Sequence, residues 1–169
     1  MKNLILTVSF VLLWSICGTA QNNFEVPKNL QLNVDADFAK YKDDVINAAK
    51  WLEETDLTKE TVKRKEINAF IIKWTTGVPD FTIDVTDGLK KLYGKNNELI
   101  IVFFASYSRN YLENKDATNQ TATKAGLISM MNVYKKGIAI IKNNDMDNAI
   151  KANENNKLDE YINTNIISE

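Results

Sequence analysis

Between Phe38 and Ile162 the apolar residues return at steps of three and four, the interval that places them on one face of an α-helix. Phe38, Tyr41, Val45, Ala48 and Leu52 mark a first helix over about 37–54, with Asp35 or Asp37 available to accept backbone N–H groups at its start. Thr58 reads as the cap of a second helix, with Glu60 in its first turn and Val62, Ile67, Phe70, Ile71 and Trp74 as its apolar face. Gly77 suits a left-handed exit, and Pro79 blocks continuation. Farther on, Leu127, Met131, Tyr134, Ile138 and Ile141 outline a helix over 121–142. Gly126 and Gly137 each weaken it by about 1 kcal/mol, which points to close helix–helix approach at both. Two short helices, 145–153 and 157–162, follow on either side of Asn155-Asn156, residues that tolerate the left-handed conformation.

The stretch 81–104 supports two readings. Phe81, Ile83 and Val85 alternate with Thr82 and Asp84, a period of two that suits a short strand. A two-turn helix over 86–93 ends at Gly94, and Leu99–Phe104 is solidly apolar and β-prone, so a βαβ element is the alternative. Against it, no third strand is evident, and two strands alone are rarely stable. Apolar character also continues through Tyr107, Tyr111 and Leu112 at helical steps, so 97–114 reads as a central helix surrounded by its neighbours. The expected fold is all-α: a bundle of about five to seven helices in a single domain over 35–164. An extended lead-in over 21–34, strapped down by Phe24, Val26, Leu30 and Leu32, precedes it, and 165–169 is expected to fray.

The first twenty residues read differently. Lys2 precedes an apolar run from Leu4 to Ile16, and Gly18-Thr19-Ala20 places small residues at −3 and −1 before Gln21. That is the pattern of a secretory signal peptide cleaved after Ala20. The run is too short for a membrane span of about 20 apolar residues. Trp14-Ser15-Ile16 lacks the small residue that a lipid anchor on Cys17 would require. The expectation is therefore an exported chain, periplasmic or secreted, without a transmembrane anchor once residues 1–20 are removed.

Composition narrows the chemistry. The 169 residues include no histidine, and the single cysteine, Cys17, falls in the leader. Mechanisms that need imidazole or thiolate are excluded, as are His- or Cys-ligated metals. A formal net charge of −1 offers no basic surplus for phosphates, so nucleic acid is not an expected partner. The chain carries no G-x-G-x-x-G and no P-loop, and no cofactor is expected. A cysteine-free domain of this size can bury about 68–70% of its unfolded surface and stand without disulfides.

Three groups of residues could carry function. Asn143–Glu154 places oxygen-bearing side chains at positions 1, 3 and 5 (Asn143, Asp145, Asp147) and Glu154 at 12, which looks like an EF-hand calcium loop. Asn143 forfeits a charged ligand and Asn148 replaces the usual glycine, so the preferred reading is a helix start capped by Asp145 and Asp147. Only Arg64 and Arg109 are arginines among 21 basic residues. Arg64, within Lys63-Arg64-Lys65-Glu66, reads as a solvated face. Arg109, on the apolar helix, reads as a buried ion pair with Asp84 or Asp87, or as an anion site. With no histidine, acid–base work would fall to carboxylate pairs such as Asp84 and Asp87, beside which Trp74 could stack a sugar ring. Trp74 reads more readily as core. The leading expectation is a non-catalytic binding or interaction module for a protein or small-molecule partner. The alternatives are a carboxylate-dependent hydrolase of envelope or extracellular glycans, or a carrier with an apolar void among its helices.

Overall fold

The structure is a computed structural model that describes residues 23–167; the leader, Cys17 and the cleavage position lie outside the described residues. Eight helices follow one another: α1 (Asp35–Lys40), α2 (Lys42–Glu54), α3 (Thr61–Gly77), α4 (Asp87–Tyr93), α5 (Glu98–Glu113), α6 (Asn119–Lys135), α7 (Asn144–Glu154) and α8 (Leu158–Ile162), closed by a π-helical turn at Asn163–Ile167. Among the described residues there is no strand, and none of the helices is long and apolar enough to cross a membrane. The all-α expectation is met, and the βαβ alternative is not.

α5 is the centre. It buries Leu99, Ile101, Val102, Phe103, Ala105, Ser106, Tyr107 and Ser108, and packs most extensively on α6, then on α2 and α3. Its seven apolar or β-branched residues from Leu99 onward are helical because neighbours cover nearly every side, each large side chain gaining about 1.5–3 kcal/mol on burial. Gly126 lets α6 approach α5 closely: a Cβ there would stand 2.6 Å from the Phe103 ring. The buried apolar residues run as one cluster from Phe24 to Ile166.

Helix boundaries depart from the sequence reading in informative ways. The first helix divides at Tyr41, whose hydroxyl accepts from Gln31 N–H at 3.2 Å and so binds the lead-in to the body. Asp37, one of the two acceptors the sequence offered, gathers the start of α1: its Oδ2 accepts from Asn33 N–H at 3.0 Å and Val34 N–H at 3.3 Å. Thr58 is not a cap. α3 begins at Thr61 behind a left-handed Glu60, and Val62 is exposed. Gly77 stays helical; a Cβ there would meet the Phe38 ring at 2.6 Å, so its role is close approach, and α3 ends because Val78 precedes Pro79. Gly137 does the reverse. With φ +68° and open space around it, it terminates the chain's exit from α6, and Ile138 and Ile141 fall outside the helix. Asn156 takes the left-handed conformation expected between α7 and α8. In the C-terminal turn Ile166 is buried, and Asn165 O lies where a side chain on Gly88 would project.

Candidate functional site

Segment 78–86 connects α3 to α4; it bends at Pro79 and Asp80 and belongs to no helix or strand, with extended backbone at Val78 and Thr86. Thr86 starts α4 by accepting from Leu89 N–H at 3.2 Å. Phe81 anchors the segment, stacked on Tyr111 with centroids 4.5 Å apart and tilted against Tyr107 at 5.6 Å and Trp74 at 6.2 Å. Phe81 and Ile83 are half-buried against the body, whereas Thr82, Asp84 and Val85 are exposed. The alternation seen in the sequence holds for Phe81 and Ile83 and breaks at Val85, which is exposed, and no partner strand is present among the described residues. Among the described residues, no backbone N–H from Asp80 to Val85 has a protein acceptor, and the Thr82 carbonyl meets only the Tyr107 hydroxyl, at 3.3 Å.

Recesses lie on both sides of this segment. One is an open cleft of about 330 Å³ formed with the end of α3 and with Phe104; Thr75, Val78, Phe81 and Val85 line it. The other is a partly enclosed cavity of about 100 Å³. Ile83, Asp84 and Thr86 form one wall, Phe103 and Tyr107 the floor, Asn119 and Thr123 of α6 the third side, and Ile166 and Ile167 the cover. Its polar atoms are organised: Asn119 Oδ1 lies 3.2 Å from the Tyr107 hydroxyl and accepts from Thr123 Oγ1 at 3.1 Å. Burial pushes the Tyr107 phenol well above its ordinary pKa, with Tyr111 and Asp84 adding to the effect, so the hydroxyl keeps its proton.

The four residues singled out for binding are not one constellation. Asp84 stands at the cavity. Trp74 is fully buried beneath the segment, donating from Nε1 to Phe38 O at 3.2 Å, and presents no face to a sugar. Asp87 sits on α4, paired with Lys90 at 2.7 Å. Arg109 is elsewhere and does not pair with Asp84 or Asp87. Its guanidinium reaches Glu53 at 3.5 Å and Glu113 at 3.7 Å. Glu53 also accepts from Ser129 Oγ at 3.1 Å and Asn132 Nδ2 at 3.2 Å, so this group links α2, α5 and α6.

Arg64, read as solvated, is the buried arginine, only 3% exposed. Its Nη2 donates to Thr55 O at 2.7 Å and Asp56 O at 3.2 Å, just beyond the end of α2, and the guanidinium lies 5.1 Å from the Trp51 ring centre. Burial lowers its pKa, opposed by Glu98 and Asp56. A signal was present: Arg64, Ile67, Ile71 and Trp74 fall at three- and four-residue steps, which continues the buried stripe of α3 one turn toward its start.

The EF-hand-like residues form a helix instead of a loop. Asn143 is the cap of α7, accepting from Asp145 N–H at 2.9 Å and Met146 N–H at 3.3 Å, a role the sequence reading gave to Asp145 and Asp147. Its Nδ2 donates to Lys91 O and Leu92 O, both at 2.8 Å, and fastens α7 to α4. Asp147 accepts from the Tyr134 hydroxyl at 3.0 Å, and Glu154 ends the helix beside Lys135 at 3.5 Å. A rise of about 1.5 Å per residue keeps Asp145 and Glu154 well apart along α7. Among the described residues, no three acidic, histidine or cysteine side chains converge as a metal site.

In comparison with known proteins, the chain matches no family model, no curated protein and no solved structure.

Proposed function

We propose that this chain is an exported, non-catalytic binding module that receives an extended peptide of a partner protein along 81–85. The observation that carries this is the segment itself. It belongs to no helix or strand, is pinned by Phe81, and its amide donors lack protein acceptors among the described residues. A peptide added alongside would satisfy those groups as a new strand does, and pockets beside the edge would read alternate side chains. The cleft with Val85 and Phe104 suits an apolar side chain. Export is supported by the charged start, the apolar run and Gly18-Thr19-Ala20.

Panning random twelve-residue displayed peptides on the protein tests this reading. Binders should shift and protect the amides of 81–85, lose affinity when their own alternate amides are N-methylated, and weaken on Val85→Asp. Failure to recover binders, or binders indifferent to both changes, would overturn the reading. N-terminal mass analysis of the exported species should find Gln21 first; an intact leader or a lipid on Cys17 would refute export with cleavage after Ala20.

A further inference from the structure

We propose that the 100 Å³ cavity beside Asp84 seats an alkylammonium group, either a small free amine or the lysine side chain of a peptide bound along 81–85. The peptide form rests on the binding role proposed for that segment; the free-amine form does not. Charge is the first argument. Three aspartates lie on or next to the segment. Asp80 has Lys42 at 3.6 Å and Asp87 has Lys90 at 2.7 Å, but among the described residues Asp84 has no cation within ion-pair distance. Among the described residues no lysine or arginine lines the cavity, and Asp84, itself exposed, is the acidic residue on it.

The second argument is the lining. The polar residues lining it, Asp84, Thr86, Tyr107, Asn119 and Thr123, each carry a side-chain oxygen acceptor, and Asn119 brings amide donors as well. The Tyr107 proton is shared between Thr82 O and Asn119 Oδ1, which leaves its lone pairs to accept. An ammonium group brings three donors and no acceptor, the complement of such a lining. Phe103 and Tyr107 add aromatic rings, and Ile83 and Ile166 give a methylene stem apolar contact. Size is the third. A cavity of about 150 Å³ holds benzene, so 100 Å³ suits a four-carbon amine of five heavy atoms.

The start of α6 also stands at this mouth, and its field favours anions. Thr121 N–H and Ala122 N–H are taken by Thr118 Oγ1 and Thr118 O, whereas among the described residues no protein acceptor meets the Asn119 and Gln120 N–H groups. The choice between cation and anion is therefore read directly by experiment.

Chemical-shift titration of the 15N-labelled protein with n-butylammonium, n-butanol and butyrate provides that reading. Butylammonium should give saturable shifts at Thr86, Thr123 and Ile166, at least tenfold tighter than butanol. Butyrate should give none there. Asp84→Asn should weaken butylammonium tenfold or more, and Asp80→Asn should leave it unchanged. For the peptide source, a lysine-bearing binder selected on the protein should lose at least tenfold when that lysine is acetylated. Equal binding of butanol, binding of butyrate, indifference to Asp84→Asn, or no saturable shift at these amides would overturn the proposal. Peptides that bind along 81–85 without needing a lysine would overturn the peptide form while leaving the binding role itself standing.

Discussion

Replacing the two arginines separates structural burial from local appearance. Arg64→Ala removes two charge-assisted hydrogen bonds to Thr55 O and Asp56 O, each worth about 1.5–3 kcal/mol net. It also removes the guanidinium from the Trp51 face, worth roughly 0.5–2 kcal/mol. Opposing this, the buried charge is itself costly: Arg64 Nε and Nη1 have no partner, and their desolvation is relieved on truncation. The balance is a loss of about 3 kcal/mol, comparable to breaking a buried pair. Arg64→Met keeps most of the stem and drops the charge, so it should cost less, about 1–2 kcal/mol. Arg109 is about a quarter exposed, with carboxylates at 3.5 and 3.7 Å, long for strong ion pairs. Glu53 keeps Ser129 and Asn132 when Arg109 is removed, so Arg109→Ala should cost at most about 1 kcal/mol and even less in high salt. Urea denaturation of the three variants decides. With a slope of about 2 kcal/mol/M, Arg64→Ala should lower the midpoint by roughly 1.5 M and Arg109→Ala by no more than about 0.5 M. A midpoint for Arg64→Ala within about 0.25 M of the parent, or a larger loss for Arg109→Ala, would refute the reasoning.

Asn143→Asp, the change that brings 143–154 closer to a calcium loop, should destabilise by roughly 2 kcal/mol, because an oxygen would replace the amide that donates to Lys91 O and Leu92 O; thermal melts should show the loss, and millimolar calcium should not restore it. Asp37 is held below its ordinary pKa, first by the Lys40 ammonium and then by the Asn33 N–H. Its contribution is complete above the unfolded value of about 3.9 and is lost as pH falls through the lowered folded value. The stability gap between the parent and Asp37→Asn should therefore be constant from pH 7 to 5 and close below about 3.9, and a gap that widens on acidification would contradict this. Gly88→Ala puts a Cβ 1.7 Å from Asn165 O, so the C-terminal turn must move; hydrogen exchange of 163–167 should accelerate while the core of α5 stays protected.

Central helix α5 was legible because its pattern is long and dense: apolar residues recur from Leu99 to Tyr111 at helical steps, and no extended alternative fits Tyr107 and Tyr111. Segment 81–85 was half legible. Phe81 and Ile83 face the body as the alternation implied and Val85 does not, because what holds the segment is a set of rings on α3 and α5 instead of a strand. Asp84 was marked, while the residues that give it a cavity come from 103, 107, 119, 123, 166 and 167, which no spacing rule connects. Arg64 was hidden by its charged neighbours, since a window that averages polarity across Lys63–Glu66 cannot see that one of the four points inward.

By itself, the sequence determined the helical class, the positions of most helices and the lack of any imidazole, because these follow from periodicity and composition, which are local or additive quantities. Tertiary structure decided which arginine is buried, which glycine turns the chain and which one admits a neighbour, and that Asp84 lines a small cavity with residues of α5, α6 and the C-terminal turn. Gly77 and Gly137 differ only in what approaches them, the Phe38 ring in one case and open solvent in the other. That distinction is made by residues far away in the chain, and it exists only once the helices are packed.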